Sequence, residues 1–132
     1  MSSSVHALIC EDDNLVAAFI EGVLLDFGID TENVTPRDGR GLLLRSHYDV
    51  AVVGVDKRFE ILPRIVRHLQ LHEIPVVFFT VIGEANGVAS AFPDIPICRY
   101  DPQYSESLAL KVWSAASSGS KSAAARSPLR QD

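Results

Sequence analysis

The sequence predicts an α/β fold: a parallel five-stranded sheet with helices on both of its faces. Short apolar, β-branched segments alternate along the chain with segments whose apolar residues recur every three or four positions. These are the periodicities of buried strands and of amphipathic helices. The connections between successive strands are too long for hairpins, so the strands should run parallel with right-handed crossovers.

The first strand and helix have the clearest pattern. His6 to Cys10 is a short apolar run that ends abruptly at Glu11, Asp12 and Asp13. Apolar residues then recur at helical spacing, and Gly28 predicts the end of that helix. The helical stripe consists of Val16, Phe19, Ile20, Val23, Leu24 and Phe27.

The next elements lead to the centre of the sheet. Ile29 to Val34 predicts a second strand, and Gly39 to His47 predicts a short helix that is weakened by two glycines. Val50 to Val55 is a continuous apolar run. Such a run is typical of a parallel strand that is buried on both faces.

The second half of the chain repeats the same alternation. A helical stripe begins at Ile61, with Pro63 in its first turn, where proline is tolerated. The later elements follow in the same order of strand and helix. They are a buried strand from Ile74 to Thr80, a short glycine-interrupted segment from Gly83 to Phe92, a last strand from Ile95 to Cys98, and a last helix from Ser105 to Ala115.

The composition changes after the last predicted helix. From Ser117 to Asp132 the chain contains almost no large apolar residues. Such a segment cannot bury enough surface to offset the entropy of ordering it. We therefore expect one domain over residues 1–116 and a mobile tail over residues 117–132.

Composition also excludes several functional classes. The chain has 132 residues, 47% of them apolar and 22% charged, and a formal net charge of −5. The negative charge opposes unspecific binding to nucleic acid, and no apolar run is long enough to span a membrane. Cys10 and Cys98 lie in apolar stretches, as buried thiols of a reducing cytoplasm do. We expect a cytoplasmic protein that binds neither nucleic acids nor membranes.

The predicted topology places the functional residues at one edge of the sheet. In open α/β sheets the ligand crevice lies at the carboxyl ends of the strands. Glu11 and Asp12 follow the first strand there, and paired carboxylates are the oxygen ligands that a hard divalent cation prefers. The other polar positions at this edge are Asp56, Thr80, Arg99, Tyr100 and Asp101.

Four segments, in this order and spacing, resemble the receiver domain of two-component response regulators. They are ALICEDDNLVAAFIEGVLLDFG, YDVAVVGVD, IPVVFFT and ICRYDPQYSESL, and the resemblance spans about Val5 to Trp113. It implies a flavodoxin-like (CheY-like) doubly wound sheet with strand order 2-1-3-4-5 and a short helix after the fourth strand. It also implies a cis-proline turn at Pro102 and a function in signal transduction.

The resemblance implies a phosphorylation pocket that is degenerate in this chain. Glu11 and Asp12 match the acidic pair that binds magnesium in the family, and Thr80 matches the hydroxyl residue that contacts the phosphoryl group. Asp101 stands where the family has a lysine. Two further departures are Val81, at the position of a small residue, and Cys98, at the position of the family's switch aromatic.

The phosphate acceptor is the other missing part. Counted from Asp49, which opens the third strand, the acceptor position falls on Gly54, and glycine cannot form an acyl phosphate. A rival alignment makes Asp56 the acceptor by extending the strand by two residues. The spacing from Asp12 to Asp56 suits that alignment better, whereas the local spacing from Asp49 favours Gly54.

Three functions are compatible with these residues. The favoured one is a stand-alone pseudo-receiver that binds a histidine kinase, another regulator or a second copy of itself without being phosphorylated. It would have no enzymatic activity, no cofactor, and weak or absent magnesium binding at Glu11 and Asp12. The alternatives are a phosphoacceptor in a phosphorelay that uses Asp56, and a small enzyme that acts through Glu11, Asp12 and Asp101.

The resemblance also indicates where a partner would bind. In receivers this is the face formed by the helix after the fourth strand, the fifth strand and the last helix. Arg and Tyr, which are enriched at interface hot spots, occur there in this chain. The candidate interface residues are Cys98, Arg99, Tyr100 and Tyr104. Elsewhere, His68 and His72 are four apart on a helix, a spacing that suits a pair of metal ligands, but we expect a solvated face.

Overall fold

The computed structural model describes residues 5–34, 47–56, 61–81 and 86–126. In these ranges the chain forms a five-stranded parallel sheet with the order β2-β1-β3-β4-β5. The predicted fold class and strand order are therefore confirmed. The strands are β1 (His6–Cys10), β2 (Asp30–Val34), β3 (Val50–Gly54), β4 (Val76–Thr80) and β5 (Ile97–Arg99).

Four helices lie in the described part of the chain. They are α1 (Asn14–Asp26), α2 (Leu62–Leu71), α3 (Asn86–Ala91) and α4 (Glu106–Arg126). The helix predicted from Gly39 to His47 falls almost wholly on residues 35–46, which are outside the described residues. The helix that follows the fourth strand is short, as the sequence indicates.

The sheet separates two hydrophobic cores because successive strand residues point to opposite faces. On one face, Ile20 and Leu24 of α1 and Val112 of α4 pack against Ile9 and its strand neighbours. On the other face, the buried stripe of α2 packs against the opposite strand residues. That stripe consists of Leu62, Ile65, Val66 and Leu69. All five residues of β3 and of β4 are buried, as in a parallel sheet covered on both faces.

Helix α1 has a defined beginning and end. The Asp13 carboxylate accepts hydrogen bonds from the backbone N–H groups of Leu15 and Val16, and so caps the first turn. Gly28 follows the last turn with φ 79°, a left-handed conformation that glycine adopts without strain. The Asp13 cap fixes the start of α1 directly beside the carboxyl end of β1.

Helix α4 is longer than the sequence pattern predicts. It continues past Ala115 to Arg126, into the segment from Ser117 that we interpret as a tail. Three consecutive alanines near its end have high intrinsic helix propensity, which favours this extension. Residues 127–132 lie outside the described residues, and the mobility of the tail stays a prediction.

Neither cysteine forms a disulfide, and both side chains are buried, Cys10 in β1 and Cys98 in β5. In the described ranges, no helix is both long and apolar enough to cross a membrane.

Candidate functional site

The parallel register brings three chain segments together at the carboxyl edge of the sheet. Cys10 pairs with Val53, and Gly54 pairs with Phe79. The residues that follow β1, β3 and β4 therefore leave the sheet side by side. This places Glu11, Gly54, Asp56 and Thr80 in one region, as the sequence predicts.

The Glu11 side chain occupies the space beside Gly54. A methyl group added at Gly54 would overlap Oε1 of Glu11, because the carboxylate lies where a β-carbon would extend. The other carboxylate oxygen, Oε2, accepts a hydrogen bond from the Asp13 backbone N–H at 2.9 Å. Glu11 is therefore held between the end of β3 and the start of α1, over the position that lacks a side chain.

Asp56 contacts the hydroxyl residue of β4. Thr80 Oγ1 donates to Asp56 Oδ1 at 2.6 Å, and the Val81 backbone N–H donates to Asp56 Oδ2 at 2.9 Å. Thr80 is fully buried, whereas Asp56 is half-buried. The two carboxylate oxygens thus take two neighbouring donors at the end of β4.

Thr80 also connects this site to the last strand. Its carbonyl oxygen accepts a hydrogen bond from the Tyr100 backbone N–H at 2.8 Å. The Tyr100 ring meets the Phe19 ring edge-on, with 4.8 Å between the ring centroids. A continuous series of contacts therefore runs from Asp56 through Thr80 and Tyr100 to helix α1.

Asp101 serves in a turn. Its carboxylate accepts a hydrogen bond from the Gln103 backbone N–H at 3.0 Å, and its carbonyl accepts one from Tyr104 N–H. No peptide bond in the described residues is cis, so the cis-proline turn expected at Pro102 is wrong. The Asx turn at Asp101 gives the local reversal with a trans bond.

The acidic residues do not form a metal-binding group with three or more protein ligands. Among the described side chains, no set of three or more histidine, cysteine or acidic residues is arranged to hold a metal ion. Glu11 is half-buried and is engaged by the Asp13 N–H, whereas Asp12 is exposed.

The candidate interface residues differ in exposure. Tyr100 is 42% exposed and Tyr104 is 61% exposed, and Arg99 is exposed at the end of β5. Cys98 is 2% exposed, so its side chain belongs to the core rather than to the surface of the described chain. Burial raises the pKa of the Cys98 thiol, and this effect outweighs the nearby charge of Lys111 and a hydrogen bond with Ser107.

Two features of the site were not anticipated from the sequence. The first is that Asp56 contacts Thr80 and Val81, although the two segments are 24 residues apart. The pairing of β3 with β4 brings the two segments together. In the sequence, the only indication of this contact is that both segments follow buried strands predicted to lie in one sheet. The second is the contact of the Phe19 ring with the Tyr100 ring. The apolar stripe of α1 could not predict this pair, because both rings are partly exposed.

No protein-family model matches this sequence, and no curated protein matches it. The structure, however, is similar to solved structures with the receiver fold. A response regulator receiver protein from Sinorhizobium medicae WSM419 superposes with a TM-score of 0.68 at 16% identity, covering 89% of this chain and 98% of the other.

Two further structures show the same fold. A CheY-like response regulator receiver domain protein from Methanospirillum hungatei JF-1 has a TM-score of 0.68 at 18% identity, covering 91% of this chain and 99% of the other. A sensor protein from Polaromonas sp. JS666 has a TM-score of 0.70 at 18% identity, covering 87% and 98%. These similarities show that this chain has the CheY-like, flavodoxin-like fold.

Proposed function

We propose that this chain is a receiver-like signalling domain that binds a partner protein without being phosphorylated. The observation that carries the proposal is the Asp56 carboxylate on Thr80 and Val81. By the resemblance, the Thr80 hydroxyl is the group that would contact a phosphoryl group. In this structure a side chain of the protein itself already uses that hydroxyl and the adjacent N–H.

The position of Gly54 supports the same function. It is the last residue of β3, which is where the family's acceptor aspartate lies, and it has no side chain. The Glu11 carboxylate fills the space into which an acceptor side chain would extend. A phosphoryl group at this position would have neither a nucleophile nor room.

The remaining parts of the family's chemistry are also altered. The residue before Pro102 is Asp101, an anion in place of a lysine, and its carboxylate is engaged in a turn. Magnesium prefers an octahedral set of oxygens and keeps several waters. With the acceptor carboxylate missing, we propose weak magnesium binding at Glu11 and Asp12, no other cofactor, and no enzymatic activity.

The partner in this proposal is a signalling protein, such as a histidine kinase or another regulator, or a second copy of the chain. β5 is an edge strand of the sheet, so its backbone can pair with another chain. Arg99, Tyr100 and Tyr104 lie just beyond it and are exposed. This location is a proposal that rests on the receiver resemblance and on these residue types.

The alternative function is a phosphoacceptor that uses Asp56. One observation favours it: the Asp56 carboxylate lies beside the buried Thr80 hydroxyl, at the edge of the sheet where the family carries out its chemistry. Arg99 would then supply the positive charge, or Lys57, which lies outside the described residues. This alternative predicts a covalent phosphoryl adduct on Asp56.

Intact-protein mass spectrometry separates the two functions. The wild-type protein is incubated with magnesium and a small phosphodonor such as acetyl phosphate, beside Asp56→Asn and a receiver of known activity as a positive control. The proposal expects no added phosphoryl mass in either form. An adduct on the wild type that disappears in Asp56→Asn would overturn the proposal and establish the alternative.

A further inference from the structure

Helix α2 ends in two histidines whose rings are adjacent. His68 is in the last turn of the helix, and His72 is its C-terminal cap residue. The centroids of the two imidazole rings are 4.7 Å apart. This pair lies near the start of β4, at the opposite end of the sheet from Glu11, Asp56 and Thr80.

One hydrogen bond determines the tautomer of the second ring. His72 Nδ1 lies 3.0 Å from the backbone carbonyl oxygen of His68. A carbonyl oxygen can only accept, so Nδ1 carries the proton and donates it. In the neutral ring, Nε2 then holds the free lone pair, and a metal-binding histidine is commonly oriented by the same kind of bond.

The spacing and separation of the rings suit chelation of one ion. Two histidines at positions i and i+4 on a helix share one face, as in known zinc-binding helices. Zinc lies about 2.0–2.1 Å from an imidazole nitrogen, so two rings on one ion have centroids about 4.5–5.3 Å apart at bond angles near 90–110°. The observed separation of 4.7 Å falls within this interval.

The electrostatic setting is mixed. The C-terminal end of the α2 dipole places partial negative charge beside the pair, which favours a cation. Glu73 follows His72 directly and adds a negative charge nearby, whereas Arg64 lies one turn before His68 and opposes a cation. His72 is exposed and His68 is half-buried, so water can complete the coordination.

We propose that His68 and His72 form a chelating site for one divalent transition-metal ion of the zinc, nickel or copper class. Imidazole nitrogen suits these ions, whereas magnesium and calcium prefer oxygen ligands. Among the described residues, no third histidine, cysteine or carboxylate forms a metal-binding group with this pair; in this proposal, water fills the remaining coordination positions. The site is separate from the acidic edge and does not depend on the proposed signalling function.

Calorimetric titration with nickel chloride at neutral pH tests the site. We expect one ion per chain for the wild type, and at least a tenfold loss of affinity in both His68→Ala and His72→Ala. His47→Ala is the matched control, since His47 is another exposed histidine, and it should bind nickel like the wild type. Magnesium chloride in place of nickel should give no heat that depends on His72.

A second measurement keeps the proposal testable if the binding heat is small. An ion that binds only the folded chain raises the melting temperature. Nickel should therefore raise the melting temperature of the wild type and of His47→Ala, but not that of His72→Ala. Nickel binding that is equal in the wild type and His72→Ala, or absent at about 1 mM nickel, would overturn the proposal.

Discussion

Thr80 Oγ1 donates a hydrogen bond of 2.6 Å to Asp56 Oδ1, and this bond ties the loop after β3 to the buried end of β4. Hydrogen bonds to a charged partner contribute about 1.5–3 kcal/mol, more than bonds between neutral groups. The second bond, from Val81 N–H, fixes the other carboxylate oxygen. The carboxylate is therefore part of the folded structure as well as part of the candidate site.

Removing either partner of this bond should destabilise the protein. We expect Thr80→Val, which preserves shape and removes the donor, to lower the free energy of unfolding by about 1–3 kcal/mol. Asp56→Ala should cost a similar amount, and the double variant should cost less than the sum because both changes remove one interaction. Urea denaturation measures this, with the exposed Asp94→Ala as control. A Thr80→Val variant as stable as the wild type would refute the bond's contribution.

A side chain at Gly54 should be costly only while Glu11 is present. We expect Gly54→Ala to destabilise the fold by about 1–3 kcal/mol, since the methyl group displaces the Glu11 carboxylate from the Asp13 N–H. In a Glu11→Ala background the same change should cost less, giving a coupling of about 0.5–3 kcal/mol.

Gly22 provides the matched control for the Gly54 and Glu11 variants. It lies within α1, and a β-carbon there would meet no atom within 4 Å. Gly22→Ala should therefore stabilise the protein by about 0.5–1 kcal/mol, because alanine favours the helix. Urea denaturation of each variant gives these free energies. Equal effects of Gly54→Ala in the presence and absence of the Glu11 side chain would show that the Glu11 carboxylate is not what opposes a side chain at position 54.

The sequence was sufficient for the strand order and for most element positions, because buried parallel strands such as Val50–Gly54 have an uninterrupted apolar pattern. It was also sufficient to place Glu11, Gly54 and Thr80 at one edge. It could not supply the contact of Asp56 with Thr80, which depends on side-chain direction after two separate strands. Nor could it set the end of α4, where helix propensity extends the element beyond its apolar stripe.

The C-terminal ends of α1 and α2 offer a test of backbone strain. Both helices end in a left-handed residue with the same pair of backbone hydrogen bonds, Gly28 after α1 and Glu73 after α2. We expect Glu73→Gly to be more stable than Glu73→Ala by about 1 kcal/mol, because both remove the side chain and only glycine adopts this conformation freely. Gly28→Ala should lose a similar amount. Thermal denaturation of the three variants measures this, and equal stability of the two Glu73 variants would contradict it.

The buried thiol of Cys98 predicts a pH dependence. Because its folded pKa is raised, the unfolded chain loses this proton first, at the ordinary thiol pKa of about 8.5. The contribution of the neutral thiol to stability is fully present below that pH and is lost as pH rises through the folded pKa. The difference in unfolding free energy between wild type and Cys98→Ala should therefore shrink from about pH 7 to about pH 10. A constant difference would indicate an unshifted thiol.

The proposed partner surface can be tested with the two exposed tyrosines. Tyr100 packs on Phe19 within the chain, so its removal also changes the support of α1, whereas Tyr104 is 61% exposed and is the cleaner probe. Tyr104→Ala removes one exposed ring, and Tyr100→Phe removes only the hydroxyl and keeps the packing on Phe19. The combined variant should weaken association by about 1–4 kcal/mol with an unchanged melting temperature. Leu71→Ala, at an exposed position at the end of α2, is the control. Sedimentation measures self-association, and capture of a signalling partner measures partner binding. If the tyrosine variant behaves like the wild type in both experiments, the interface lies on another face, and the first helix is the next to test.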